Sequence, residues 1–219
     1  MSASLVEYHS ENHIATITLN DPKSLNAFST PLKAGVLKAL DEADADEQVR
    51  VIVLQGAGGN FSSGGDIKEM MSEGIDKEVI SDKLKGMVEG AGAVSLKLRK
   101  IHKPIIAKLE GAVAGAGMNL ALTCDFRITA DNAKFVQAFV HIGLVPDAGG
   151  VYLLNQLIGP AKTTELVMLG DKISAQDMAD LNLVNQVVSA EELDAAVLKL
   201  ASRLSALPGK ALSSMKHML

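Results

Sequence analysis

The stretch Val51-Ile52-Val53-Leu54, closed by Gly56-Ala57-Gly58-Gly59, decides the fold of this 219-residue chain. A strand with one wet face alternates apolar and polar residues. Four apolar residues in a row belong to a strand buried on both faces, as in a parallel sheet with helices on either side. The glycines then end the strand in a turn.

The same pattern recurs on both sides. Ile14-Ala15-Thr16-Ile17-Thr18-Leu19 alternates like a strand, and Val6 to Tyr8 can precede it in a hairpin. Thr30-Pro31 opens a helix whose stripe is Leu32, Val36, Leu37, Leu40 and Ala43. A polar helical region is predicted from about Ser81 to Lys100. Strands follow at Pro104–Leu109 and Phe126–Thr129, with a small-residue helix from Gly115 to Leu122 between them. Strands alternating with helices define an α/β fold with a largely parallel sheet. After Gly150 the chain reads as almost wholly helical, interrupted by Leu183 to Val188. The division expected is a core over residues 1–155 and a helical C-terminal part over 156–219. Met70 to Gly92, charged and glycine-containing, is the segment expected to be mobile.

Composition narrows the function classes. A net charge of −5 and scarce aromatics (five Phe, two Tyr, no Trp) argue against nucleic acid as a partner. No apolar run reaches the length of a membrane span. Met1 to Leu5 lacks the basic region and apolar core of a signal peptide. The single cysteine, Cys124, can form no internal disulfide, which fits a reducing cytoplasm. His9, His13, His102, His141 and His217 show no metal-ligand spacing, so no metal is expected.

Two glycine turns after strands invite chemistry. They are Phe61-Ser62-Ser63-Gly64-Gly65-Asp66-Ile67-Lys68 and Gly111-Ala112-Val113-Ala114-Gly115-Ala116-Gly117. Turns that open into helices present unpaired N–H groups, reinforced by the helix dipole. Two of them converging would stabilise an oxyanion on a thioester carbonyl. Each turn alone reads equally well as tight strand-to-helix packing. Neither is a phosphate loop, and there is no nucleophile elbow. A third run, Ile142-Gly143-Leu144-Val145-Pro146-Asp147-Ala148-Gly149-Gly150, sets one carboxylate among apolar residues and glycines. Asp147 fits two roles: a cap on the helix opening at the glycines, or a proton carrier whose pKa is raised by desolvation.

These residues resemble the crotonase superfamily, also called the enoyl-CoA hydratase/isomerase family, over essentially the whole chain. The resemblance is carried by Asp21-Pro22-Lys23-Ser24-Leu25-Asn26-Ala27, Phe61 to Lys68, Lys103 to Ala107, Gly111 to Asp125 and Gly143 to Gly150, in order. It implies a spiral of repeated ββα units with a helical C-terminal part. That part is expected to be incomplete here, since members usually run tens of residues further. The resemblance also implies an acyl-CoA thioester substrate, with coenzyme A as part of the substrate and no separate cofactor. Assembly as a homotrimer or dimer of trimers is implied too. The oxyanion donors map onto the Gly65 and Ala116 N–H groups. Lys23, Leu25, Ala27, Gly64, Asp66 and Ile67 fall in the region that binds the substrate's CoA part.

The departures from the family are as informative. A typical hydratase carries two glutamates that activate water. Their positions hold Asn119 and Phe139 here, and neither an amide nor a phenyl ring can act as a general base. Asp147 is then the one group suited to proton transfer. The expectation is an enoyl-CoA isomerase of fatty acid metabolism or aromatic acid degradation, moving a double bond through a thioester enolate. Phe139 and Val140 would exclude water, and Asn119 would bond near the thioester or fill space. The alternatives are a hydratase-like member, an aryl-CoA dehalogenase or hydrolase using the carboxylate as nucleophile, and a non-catalytic acyl-CoA-binding subunit.

Overall fold

A computed structural model describes residues 4–71 and 77–219, with the side chains of 70–84 and 87 left aside. Six strands form the main sheet, in the order β1 (Val6–Glu11), β2 (Ile14–Leu19), β3 (Val51–Gly56), β4 (Ile105–Leu109), β6 (Phe126–Ala130), β9 (Gln186–Val188). Only β1 and β2 pair antiparallel in it, as the hairpin. A second, three-stranded sheet joins β5 (Ala112–Ala114), β7 (Lys134–Val136) and β8 (Ile173–Ser174). This is the crotonase spiral.

The apolar run of β3 does what its pattern requires. Ile52 and Leu54 enter one core, and Val51 and Val53 enter another on the opposite face. The neighbouring β4 divides likewise, with Ile105 and Ala107 on one side and Ile106 on the other. The larger core is covered by α1 (Thr30–Ala45), α3 (Lys77–Lys100) and α4 (Ala116–Thr123). The smaller one packs under α7 (Leu193–Ala206) through Leu193, Val197, Ala201 and Leu204. A strand at this depth cannot be paired wrongly without exposing one of the two cores.

Helix α1 starts where Ser29 accepts from the Leu32 N–H. It ends at Lys103, whose Nζ donates to the carbonyls of Ala43, Asp44 and Asp46, satisfying the orphan acceptors of its last turn. Every residue of α4 is buried, which makes it the central post of the fold. Helix α5 (Gly150–Leu169) bends at Gly159, which precedes Pro160.

Two expectations need comment. Residues 156–219 are not purely helical, because β8 and β9 are laid into the sheets of the preceding part, and α5 runs across residue 155. The segment Met70 to Gly92 includes α2 (Ile67–Met71) at its start and α3 from Lys77; residues 72–76 lie outside the described residues. The remaining elements are α6 (Ala175–Asp180) and α8 (Gly209–Met218).

Candidate active site

Three loops meet beside the N-terminus of α4. The first is residues 21–28, pinned by the fully buried Asn26. Its Nδ2 donates to the carbonyls of Ala57 and Asn60, and its Oδ1 accepts from the Asp21 N–H. Leu25 and Asn26 both adopt left-handed backbone (φ 55° and 57°), a conformation held only where such bonds over-determine it. The second loop is 61–66. It joins the first through Phe28 N–H to Gly64 O (2.7 Å) and Ser63 N–H to Leu25 O (2.9 Å). The third is 112–116, tied to the second by Ser62 N–H to Ala112 O and Ala114 N–H to Ser62 O, each 2.9 Å.

The two glycine turns therefore converge. A Cβ on Gly64 (φ +93°) would lie 2.8 Å from the Ala114 oxygen and 3.4 Å from the Ala116 nitrogen. No Cβ fits there, and glycine is required for the approach. Among the described residues neither the Gly65 nor the Ala116 N–H has an acceptor. Ala116 is the first residue of α4, after Gly115 as N-cap with no side-chain cap, so its N–H also carries the positive end of the helix dipole.

Of the residues that the resemblance assigns to the substrate's CoA part, Lys23, Leu25 and Ile67 are exposed, whereas Ala27 is buried. The Asp66 carboxylate is committed elsewhere: it accepts from the Lys68 and Glu69 N–H groups at 2.9 and 3.1 Å, capping α2. Phe139 is buried with its ring over Gly115, 3.6 Å from where a Cβ would stand. The Val140 side chain packs against another part of the chain. Its Cγ1 sits 2.7 Å from the Cβ position of Gly170, at the far end of α5.

The cap reading of Asp147 does not hold. Gly149 (φ +81°) is the N-cap of α5, and no side chain caps that helix. Asp147 engages the turn by its backbone, accepting from the Gly150 N–H at 2.9 Å. Its side chain is half-buried, and Oδ1 has no hydrogen-bond partner among the described residues. Burial pushes this carboxyl above the usual Asp range. The Asp147 N–H, the Asn119 amide and the Lys33 ammonium act in the opposite direction.

Asn119, fully buried on α4, donates from Nδ2 to the Asp147 carbonyl at 3.0 Å. Its Oδ1 accepts from Gln137 Nε2 at 2.8 Å. Sequence reasoning missed Gln137, and it also missed Lys33. Lys33 is only 4% exposed and packs along Gly90 of α3. Burial lowers its pKa, while Glu69 and Asp147 raise it. Gln137 follows a three-residue strand with no periodicity to mark it. Nothing local signals Gln137, whereas Lys33 stands three, four and seven residues before Val36, Leu37 and Leu40, so its place on the buried stripe of α1 could have been read.

An α/β spiral with two glycine turns closing on unpaired N–H groups at the head of α4 is the arrangement of the crotonase class of enzymes. The sequence model for "Enoyl-CoA hydratase/isomerase" matches residues 9–219, and the chain belongs to that family. It is 36% identical over 197 residues to trans-2-decenoyl-[acyl-carrier-protein] isomerase of Streptococcus mutans, covering 90% of this chain and 74% of that protein. It is 35% identical over 210 residues to 1,2-epoxyphenylacetyl-CoA isomerase of Escherichia coli, covering 95% and 79%. The crystal structure of an enoyl-CoA hydratase from Polaromonas sp. JS666 superposes with a TM-score of 0.91 at 35% identity, covering 97% of this chain and 82% of that one. Among the described residues no helix is long and apolar enough to cross a membrane.

Proposed function

We propose that the protein is an enoyl-CoA isomerase that converts a 3-enoyl thioester to the conjugated 2-enoyl thioester. The observation that carries this reading is the Asp147 carboxylate. It has a desolvated, unpartnered oxygen, in a site whose two other candidate acid positions are Asn119 and Phe139. The thioester oxygen binds the Gly65 and Ala116 N–H groups. Asp147 takes a proton from C2, and the electron pair moves into the carbonyl, giving a dienolate. Donors of this kind are worth about 3 kcal/mol each against a developing oxyanion. Asp147 then returns the proton at C4, and the double bond settles between C2 and C3. No water is consumed.

Lys23, Leu25, Ala27, Gly64, Asp66 and Ile67 hold the CoA part in this reading, with Lys23, Leu25 and Ile67 exposed to meet it and Asp66 acting through the helix it caps. Phe139 keeps water from the carbonyl. A homotrimer or dimer of trimers in the cytoplasm is part of the same reading. The two similar proteins named isomerases support it, and the many named hydratases mark the competing outcome.

The test is Asp147→Asn with 3-hexenoyl-CoA. A fall in isomerisation of about 10²-fold or more is expected for loss of a general base, with binding of saturated acyl-CoA kept. Wild-type protein should hydrate crotonyl-CoA hardly at all. Turnover of Asp147→Asn near the wild-type rate, or brisk hydration, would overturn the proposal.

A further inference from the structure

The site contains polar groups that the proton shift does not use. Asn119 and Gln137 are both fully buried, and they form a chain of amides ending on the Asp147 backbone. Each bond in it has a fixed direction. Gln137 Nε2 donates to Asn119 Oδ1, which leaves Asn119 Nδ2 as the end that faces Asp147 O. Gly150 of α5 packs directly against that amide. Gly150 sits so close that a Cβ on it would be 2.2 Å from Asn119 Oδ1 and 2.4 Å from Nδ2.

The chain is a poor choice if its purpose is to fill space. Gln137 Oε1 is buried with no donor among the described residues, and a stranded buried acceptor is destabilising. An apolar pair of the same volume at both positions would carry no such penalty. Buried polar groups that cost stability are found where geometry matters to function. The turn they hold is itself strained, with Ala148 left-handed (φ 50°) directly after Asp147.

We propose that Gln137 and Asn119 are positioning residues for Asp147. Gln137 sets which end of the Asn119 amide faces the turn. Asn119 then holds the Asp147 carbonyl, and with it the angle at which the carboxylate reaches the acyl carbons. The proposal rests on Asp147 being the base. It goes further by naming what fixes that base, and it gives Asn119 a role on the turn instead of on the thioester.

The experiment is deuterium exchange at C2 of a 3-enoyl-CoA in heavy water, alongside binding of hexanoyl-CoA and thermal unfolding. Gln137→Met keeps the volume and removes the donor. Exchange should fall by roughly tenfold to a hundredfold, the cost of about an ångström of misplacement. Binding should stay within about twofold, since the oxyanion donors and the CoA loops are untouched. The unfolding midpoint should change little, because the variant removes the unmet Gln137 Oε1 as it leaves Asn119 Oδ1 without its donor. Gln137→Glu is isosteric but offers an acceptor when ionised. Asn119 must then turn its Nδ2 away from Asp147, so exchange is lost and returns as that carboxyl is protonated. A structural filler would give the opposite set: a lower midpoint and unchanged exchange. Exchange within twofold of wild type in both variants overturns the positioning role. Absence of exchange in the wild type, with hexanoyl-CoA still bound, overturns the base reading and the relay with it.

Discussion

A base that works near neutral pH must be ionised there yet not so well solvated that it is inert. At Asp147 burial raises the pKa, and Lys33 is the only cation among the groups that lower it. Lys33 achieves this from α1, itself buried, with its pKa depressed by burial and only partly raised again by Glu69 and Asp147. Glu69 in turn accepts from the Thr30 N–H at 2.9 Å, at the start of the same helix. Lys33→Met therefore removes the counter-charge while keeping the stem's packing. The acid limb of the isomerisation pH profile should move to higher pH, with the plateau rate largely retained. An unmoved limb, or one displaced to lower pH, would show that Lys33 does not act on Asp147. The same shift bears on stability. Folding raises the Asp147 pKa, so the native state holds that proton more tightly than the unfolded chain. The resulting stability is full below the ordinary Asp range and is lost as pH rises through the raised value. Asp147→Asn should consequently unfold at or above the wild-type temperature at pH 7, and relative to the wild type its advantage should shrink on acidification.

Glycines at the element ends serve two different purposes, and the difference can be tested. Gly149 is needed for its positive φ as the N-cap of α5. Gly150 has ordinary helical backbone and is needed because Asn119 occupies the space of its side chain. Gly150→Ala forces the Asn119 amide off its bonds to Asp147 and Gln137. We expect an overpacking cost of about 1–3 kcal/mol in urea unfolding, together with loss of C2 exchange. A variant with unchanged stability and exchange would mean that α4 and α5 can separate freely. The sequence marks this turn as special, since Val-Pro-Asp-Ala-Gly-Gly is legible as a break before a helix. It does not separate the two glycines, because the reason for Gly150 lies 31 positions upstream on another helix. The same limit governs the other elements. β3 was legible from its four-residue apolar run, β4 from Ile105-Ile106-Ala107 after Pro104, and α1 from its stripe and its Pro31. The strands β5, β7, β8 and β9 have two or three residues each, too few to show a period. Only pairing reveals β5, β7 and β8, while β9 falls in the break at Leu183 to Val188 that the sequence does mark. Asn119 and Phe139 could be read as missing acids from sequence. That Asn119 grips the Asp147 turn could not, since it depends on which way a buried amide faces.

At the scale of the whole molecule, the last helix is fastened to the sheet by a buried charge. Lys216 of α8 is 8% exposed. Its Nζ donates to Asp125 Oδ2 at 2.7 Å and to the Lys103 carbonyl at 3.1 Å. Asp125 Oδ2 also accepts from the Ile105 N–H at 2.8 Å, at the head of β4. The same Lys103 caps α1 through its ammonium. Three distant parts of the chain thus meet at one junction: the end of α1, the entry to β4 and the final turn of α8. A buried ion pair adds little over a good apolar pair, because desolvation offsets most of the attraction. Removing one partner alone is different, for it strands the other charge. Lys216→Met should therefore cost about 3 kcal/mol, read as a lower urea midpoint with the same slope. Lys216→Met with Asp125→Asn should recover part of that loss, since no charge is then stranded. If α8 were only loosely docked, Lys216→Met would leave the global midpoint unchanged and instead speed amide exchange within residues 209–218 alone. That outcome would assign α8 to a separate, weakly coupled unit. The shared junction at Lys103 argues for the first result, because loosening α8 withdraws a donor from the strand entry on which both cores depend.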